Sequence, residues 1–243
     1  MGTLILAHRG ASAYRPENTL EAFELALMQD ADGFELDAQL TKDGYVVVAH
    51  DERLERVSNG VGYINDHTLE ELKTLDFGKG FPGRQKCRIP TLGEVYSLIK
   101  GTGATVNVEL KTTEFMYPEL PEKLLGLERE FSMQGRVIYS SFNHYSLLAL
   151  RQIDKQVKIG LLYDMGLVDP WVYASHLSAD AIHPHYKIVA LLPGTVARCH
   201  EAGLMVNVWV VNDPKMIGFM LECGVDALMT DAPDVAAACR GGF

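Results

Sequence analysis

The sequence predicts a closed parallel (β/α)8 barrel, and three observations point to it. Short β-rich runs alternate with longer segments of helical period from end to end; there are eight such alternations; and they fit within 243 residues, the usual span of that fold. An open doubly wound sheet is the rival architecture, but no GxGxxG fingerprint follows any strand candidate.

Taken in order, the first strand is Leu4–Ala7, and the stripe of Leu20, Phe23 and Leu27 makes Thr19–Gln29 an amphipathic helix behind it. Gly33–Leu40 is the second strand. The turn Lys42-Asp43-Gly44 and the run Tyr45–Ala49 then break the rhythm as a hairpin. Irregular sequence follows to about Arg88, punctuated by Gly60, Gly62, Gly78, Gly80, Pro82 and Gly83, and residues 52–88 read as a loop-rich cap on the barrel mouth. The whole of 1–243 is read as one barrel domain carrying that insertion. Thr91–Lys100 restores helical period, Ala104–Lys111 is the third strand, and Pro121–Phe131 is the next helix. The alternation continues as Arg136–Ser140, Tyr145–Ile153, Lys158–Leu162, a weaker helical stretch near Pro170–His176, Ala181–His183, a helix over Val189–Ala202, Leu204–Val210, Lys215–Cys223, Asp226–Thr230 and Pro233–Cys239.

With 22 basic against 32 acidic residues the net charge is −10, which opposes binding to nucleic acid or to an anionic membrane surface and favours a small ligand. Cys87, Cys199, Cys223 and Cys239 are too scattered for a zinc site or a disulfide framework and read as reduced thiols. No stretch reaches the ~18 consecutive apolar residues of a membrane helix, and the N-terminus lacks a secretory signal, so a cytoplasmic protein with no stable membrane anchor is expected.

A parallel barrel carries its chemistry at the C-terminal ends of its strands. There the sequence places His8-Arg9-Gly10, Glu35 with Asp37, His50-Asp51, and Asn107, Glu109 and Lys111. Glu35 and Asp37 alternate onto one face of a strand, as do Glu109 and Lys111. Three carboxylates converging on one mouth repel unless a hard divalent cation, Mg²⁺ or Ca²⁺, resolves the repulsion. The competing reading is structural ion pairing with Arg9 or Lys111, and an isolated ExD favours it. Two histidines at further strand ends shift the balance, because imidazole serves as base and as acid near neutral pH. Arg9 and Lys111 add fixed positive charge suited to phosphate oxygens.

Asn18 or Thr19 caps the first helix or orients His8 or Arg9. Trp209 forms a pocket wall or barrel packing. His183 and His185, around Pro184, are read as loop or rim residues, and His67, His144, His176 and His200 as surface or helix residues.

Together, His8-Arg9-Gly10-Ala11-Ser12, Pro16-Glu17-Asn18-Thr19, Glu35-Leu36-Asp37, Thr41-Lys42-Asp43-Gly44 and His50-Asp51 closely resemble the opening blocks of the glycerophosphodiester phosphodiesterases. Ile89-Pro90-Thr91-Leu92, Val108-Glu109-Leu110-Lys111, Ser141-Phe142, Val208-Trp209-Val210-Val211-Asn212-Asp213 and Thr230-Asp231-Ala232-Pro233 are similar to later blocks, in order and across essentially the whole chain. The resemblance implies a TIM barrel, a divalent metal, and hydrolysis of deacylated phospholipids to sn-glycerol 3-phosphate and an alcohol. It implies Glu35, Asp37 and Glu109 as metal ligands, His8 and His50 as the acid/base pair, and Arg9 and Lys111 as phosphate contacts. The insertion after His50 resembles the short cap of the bacterial cytoplasmic members; Ser58 stands there where threonine is more usual. The rival functions are a metal-dependent barrel lyase, a lysophospholipid or sphingolipid phosphodiesterase, and an inactive scaffold barrel.

Overall fold

In a computed structural model of the chain, which describes residues 2–81 and 86–242, eight parallel strands close into a barrel. Their apolar runs have no other place to go: the second strand is buried at every position and the others nearly so. In chain order the elements are β1 (Leu4–His8), α1 (Leu20–Met28), β2 (Gly33–Leu40), β3 (Val46–Val48), α2 (Leu69–Thr74), α3 (Leu92–Leu98), β4 (Thr105–Leu110), α4 (Leu120–Glu130), β5 (Val137–Ser141) and α5 (His144–Ile153). They continue with β6 (Ile159–Tyr163), α6 (Pro170–His176), β7 (Ala181–Pro184), α7 (Tyr186–Leu191), α8 (Gly194–Glu201), β8 (Met205–Val208), α9 (Pro214–Glu222), β9 (Ala227–Thr230) and α10 (Pro233–Gly241). β1 pairs with both β2 and β9, which closes the ring, and β3 lies antiparallel on β2 as the extra strand of the hairpin. This is the TIM barrel that the alternating pattern predicts.

Two elements differ from the sequence reading. The helix expected over Val189–Ala202 is two helices, α7 and α8, because Pro193 falls between them. A proline inside a helix removes a backbone donor and clashes with the preceding turn, at about 3 kcal/mol or more. Conversely, the segment expected to be irregular contains α2, started by a reciprocal capping box between Thr68 and Glu71. Around it Leu54, Ile64, Leu72, Phe77 and Ile89 form a small apolar cluster against Val47 and Ala49 of the hairpin. Pro82 and Gly83, two of the anticipated breaks, lie outside the described residues.

The main core lies between barrel and helices, where Phe23 of α1 packs on Phe34 of β2 with ring centroids 5.1 Å apart. Inside the barrel the packing is polar in part. His183 is fully buried there, not at the rim: its Nε2 pairs with Asn207 Nδ2 at 2.9 Å. The space for its ring exists because the facing residue is Gly160; a Cβ at that position would lie 2.1 Å from His183 Nε2. His185 stays outside, capping α7 by accepting from the Lys187 amide. Among the described residues no helix is long and apolar enough to cross a membrane.

Candidate active site

Strand register carries the chemistry to one end of the barrel. His8 pairs with Glu35 across β1 and β2, and Asp37 with Glu109 across β2 and β4, so side chains distant in the chain become neighbours. Glu35, Asp37 and Glu109 each bring one carboxylate oxygen to within 4.8 Å of the others, and all three residues are buried. The hairpin returns His50 to the same mouth, since the Ala49 amide bonds to the Asp37 carbonyl at 2.9 Å. His8, Arg9, Glu35, His50, Asn107, Glu109, Phe142 and Trp209 line a common cavity.

The turn after β1 is tightly specified. Arg9 has φ 56°, a left-handed value unusual for arginine, and its carbonyl and amide are held by the Asn18 amide and the Glu35 carbonyl, each at 2.9 Å. Gly10 follows at φ 82°, and any Cβ there would meet Ala22 at 2.7 Å. The guanidinium of Arg9 is thereby placed 3.4 Å from Asp37 Oδ2 and donates to Glu17 Oε1 at 2.9 Å. Lys111 donates to Glu109 Oε1 at 2.9 Å and stands 3.9 Å from Asp37 Oδ1. Burial opposes charge on Arg9 and Lys111, but the surrounding carboxylates outweigh it and keep both cationic.

These two cations do not satisfy three carboxylates. Burial and the charges of Asp37 and Glu109 push Glu35 well above the ordinary carboxylate range. Glu109 is pushed up to about 7, chiefly by burial, in spite of Lys111. Asp37 goes the other way: burial is outweighed by Arg9, His50, Lys111 and the amide of Asn18, which donates to Oδ2 at 2.9 Å. Its second oxygen, Oδ1, is buried with no hydrogen-bond donor among the described residues. An all-oxygen set with excess negative charge and an unsatisfied carboxylate oxygen is chemistry that fits a hard divalent cation.

Both imidazoles are oriented by a carboxylate. His8 donates from Nδ1 to Asp231 Oδ1 at 2.6 Å, and His50 from Nδ1 to Asp51 Oδ1 at 2.6 Å. An ionised carboxylate only accepts, so the proton sits on Nδ1 in each ring and Nε2 is the working atom. His8 Nε2 lies 3.8 Å from Glu35 Oε2. Burial is the largest influence on His50 and holds it below the ordinary imidazole range, so it is neutral at pH 7. Asp231 is held in turn by Ser12 Oγ at 3.0 Å and Asn212 Nδ2 at 2.6 Å. Trp209 lies just beyond β8, donates from Nε1 to the His183 carbonyl at 2.8 Å, and meets Phe142 edge to face at 5.4 Å.

The structure therefore brings together Glu35, Asp37, Glu109, His8, His50, Arg9, Lys111 and Trp209. Thr19 caps α1, while Asn18 bonds through its side chain to Asp37 and not to His8 or Arg9. Asp231 and Asp51 are functional residues that the sequence alone does not single out. The available signal was position: each directly follows a strand or hairpin end, and in a closed ring the end of β9 adjoins the end of β1.

Comparison with known proteins identifies the family and the fold. The model of the glycerophosphoryl diester phosphodiesterase family matches residues 8–235. A glycerophosphodiester phosphodiesterase of Caldanaerobacter subterraneus subsp. tengcongensis is 45% identical over 238 residues, covering 96% of each chain. Among solved structures, a phosphodiesterase of Oleispira antarctica in complex with the product sn-glycerol-3-phosphate superposes with a TM-score of 0.91 at 29% identity, covering 98% of this chain and 97% of the other. A glycerophosphodiester phosphodiesterase of Agrobacterium tumefaciens does so with a TM-score of 0.85 at 31% identity, covering 97% and 100%. A matched family model spanning almost the entire barrel, and a relative this similar along its full length, lead to one conclusion: the chain belongs to the glycerophosphoryl diester phosphodiesterase family.

Proposed function

We propose that this chain hydrolyses glycerophosphodiesters to sn-glycerol 3-phosphate and an alcohol, with His8 and His50 moving the protons and Glu35, Asp37 and Glu109 holding one divalent ion, Mg²⁺ or Ca²⁺. The observation that carries this reading is the pair of carboxylate-oriented imidazoles that share one cavity with Glu35 and Glu109 of the acidic cluster. The names of the relatives, and the product bound by the Oleispira protein, support the substrate class.

Arg9 and Lys111 bind the non-bridging phosphate oxygens, and Trp209 with Phe142 flanks the glycerol carbons. His50, neutral at pH 7, accepts through Nε2 the proton of the attacking oxygen, which is the glycerol 2-hydroxyl or water. As the bond from phosphorus to the alcohol oxygen breaks, His8 acts in its imidazolium form: Nδ1–H stays on Asp231 and Nε2–H passes its proton to that oxygen, leaving the neutral ring. The two rings exchange roles if a cyclic phosphate is then opened by water. When bound, the ion supplies Lewis-acid neutralisation of charge on the phosphoryl oxygens. A cytoplasmic location belongs to the same proposal.

A panel of glycerophosphocholine, glycerophosphoethanolamine, glycerophosphoglycerol and glycerophosphoinositol, assayed by coupled detection of glycerol 3-phosphate, tests this. Release that stops with chelator and returns with Mg²⁺ or Ca²⁺ is expected. No release from any of them, with turnover of an intact lysophospholipid or of an aldol substrate, transfers the site to a rival activity.

The raised carboxyls also predict a pH effect. Protons and cation compete for Glu109, whose ionisation moves from its ordinary value near 4.5 up to about 7. The metal-free fold therefore holds more protons than the unfolded chain across that window, and its stability falls as pH rises through it. A cation removes that penalty by binding the ionised form. Adding Mg²⁺ is expected to raise the melting temperature more at pH 7.5 than at pH 5; an equal or larger rise at pH 5 would remove Glu109 from the ion site.

A further inference from the structure

The two imidazole-orienting carboxylates are anchored differently. Asp231 is fixed at the barrel rim by Ser12 and Asn212. Asp51 stands at the start of the inserted segment, and its oxygens are gripped by Arg56 of the same segment: Nε donates to Oδ2 at 2.5 Å and Nη2 to Oδ1 at 2.9 Å. The other edge of that guanidinium grips Glu17, Nη1 donating to Oε2 at 2.7 Å and Nη2 to Oε1 at 2.8 Å. Glu17 Oε1 is also the oxygen to which Arg9 donates. An unbroken hydrogen-bonded chain thus runs His50, Asp51, Arg56, Glu17, Arg9.

We propose that Arg56 is a positioning residue for the reaction, a single guanidinium that sets His50 through Asp51 and Arg9 through Glu17. The proposal rests on the reading of His50 and Arg9 given above. Arg56 is not among the residues lining the cavity, so it acts through these two carboxylates and not on the substrate. Arginine suits this role because its planar fork offers two edges at fixed angles, one for each carboxylate, whereas a lysine ammonium is a point charge. Without it, Glu17 and Asp51 are two acceptor-only groups facing one another, free to turn away and carry Arg9 and His50 out of register. Its side chain is 46% exposed, so water screens its ion pairs and limits what they add to folding. Its effect belongs to geometry, and so to catalysis.

The test is kcat and KM for glycerophosphocholine in wild type, Arg56→Ala, Arg56→Lys, the double variant Glu17→Gln/Asp51→Asn, and that double variant with Arg56→Ala added, each with a melting curve. Arg56→Ala is expected to lose about 10- to 100-fold in kcat/KM, as displaced catalytic groups do. The loss is divided between kcat, through His50, and KM, through Arg9, with only a small change in melting temperature. Arg56→Lys recovers a part of it. In the double variant, adding Arg56→Ala changes kcat/KM by less than about twofold, because both routes of coupling are already gone. Arg56→Ala within about twofold of wild type would overturn the proposal, and so would an equal further loss in the double variant. Should Arg56→Ala fail to fold, Arg56→Lys decides: full wild-type kcat and KM would overturn it. His50→Ala serves as the control for the underlying reading; if that variant keeps its activity, the site reading fails whatever Arg56 does.

Discussion

His50→Ala is expected to lower kcat by roughly 10²–10⁴, the usual worth of a positioned general base or acid, while divalent-ion binding survives. The reason is in the placement of the ring. Its Nδ1 is committed to Asp51, and burial keeps it neutral, so Nε2 is a base ready at pH 7. The ring is outside the acidic cluster, so its removal leaves the three carboxylates and their cation affinity intact. His8→Ala is expected to cost as much by the same logic, since its Nδ1 is committed to Asp231. Steady-state kinetics beside metal titration calorimetry checks both. Activity within a few-fold of wild type would take that histidine out of the mechanism.

The second large effect falls on the ion. Asp37→Asn keeps the shape of the side chain but removes the member of the cluster that Arg9, His50 and Lys111 hold below the ordinary carboxylate range against its burial. It also leaves Arg9 and Lys111 facing less compensating charge. Loss of a partner that merely orients a ligand typically costs 10–100-fold in metal affinity, so loss of a charged ligand is expected to cost at least about 100-fold. Activity should then depend on added divalent ion at concentrations where wild type is saturated. Calorimetric titration with Mg²⁺ checks the affinity, and unchanged binding would return Asp37 to a structural ion pair with Arg9.

The barrel and its acidic cluster were legible because both follow from strand periodicity. Residues two apart share a face, and eight alternations close a ring, so Glu35, Asp37 and Glu109 could be placed at one mouth without coordinates. What depends on register was not legible. The pairing of Asp231 with His8 requires knowing that the last strand ends beside the first. Arg56 reaches Glu17 only because the inserted segment folds back over the turn that follows β1. His183 differs for a related reason: a histidine next to a proline at a strand end reads as rim, and only the facing Gly160 shows that the interior has room for the ring. The break between α7 and α8 and the start of α2 both have local signals, Pro193 inside an otherwise periodic stretch and the Thr68 to Glu71 spacing of a capping box.

One divalent ion among Glu35, Asp37 and Glu109, with both histidines at hand, is the arrangement on which the proposed chemistry depends. An anomalous difference map from crystals soaked in Mn²⁺ tests it most directly. A single strong peak in contact with all three carboxylates, beside the Nε2 atoms of His8 and His50, is the result expected. A peak at another location, or none at a Mn²⁺ concentration that supports full activity, would contradict it.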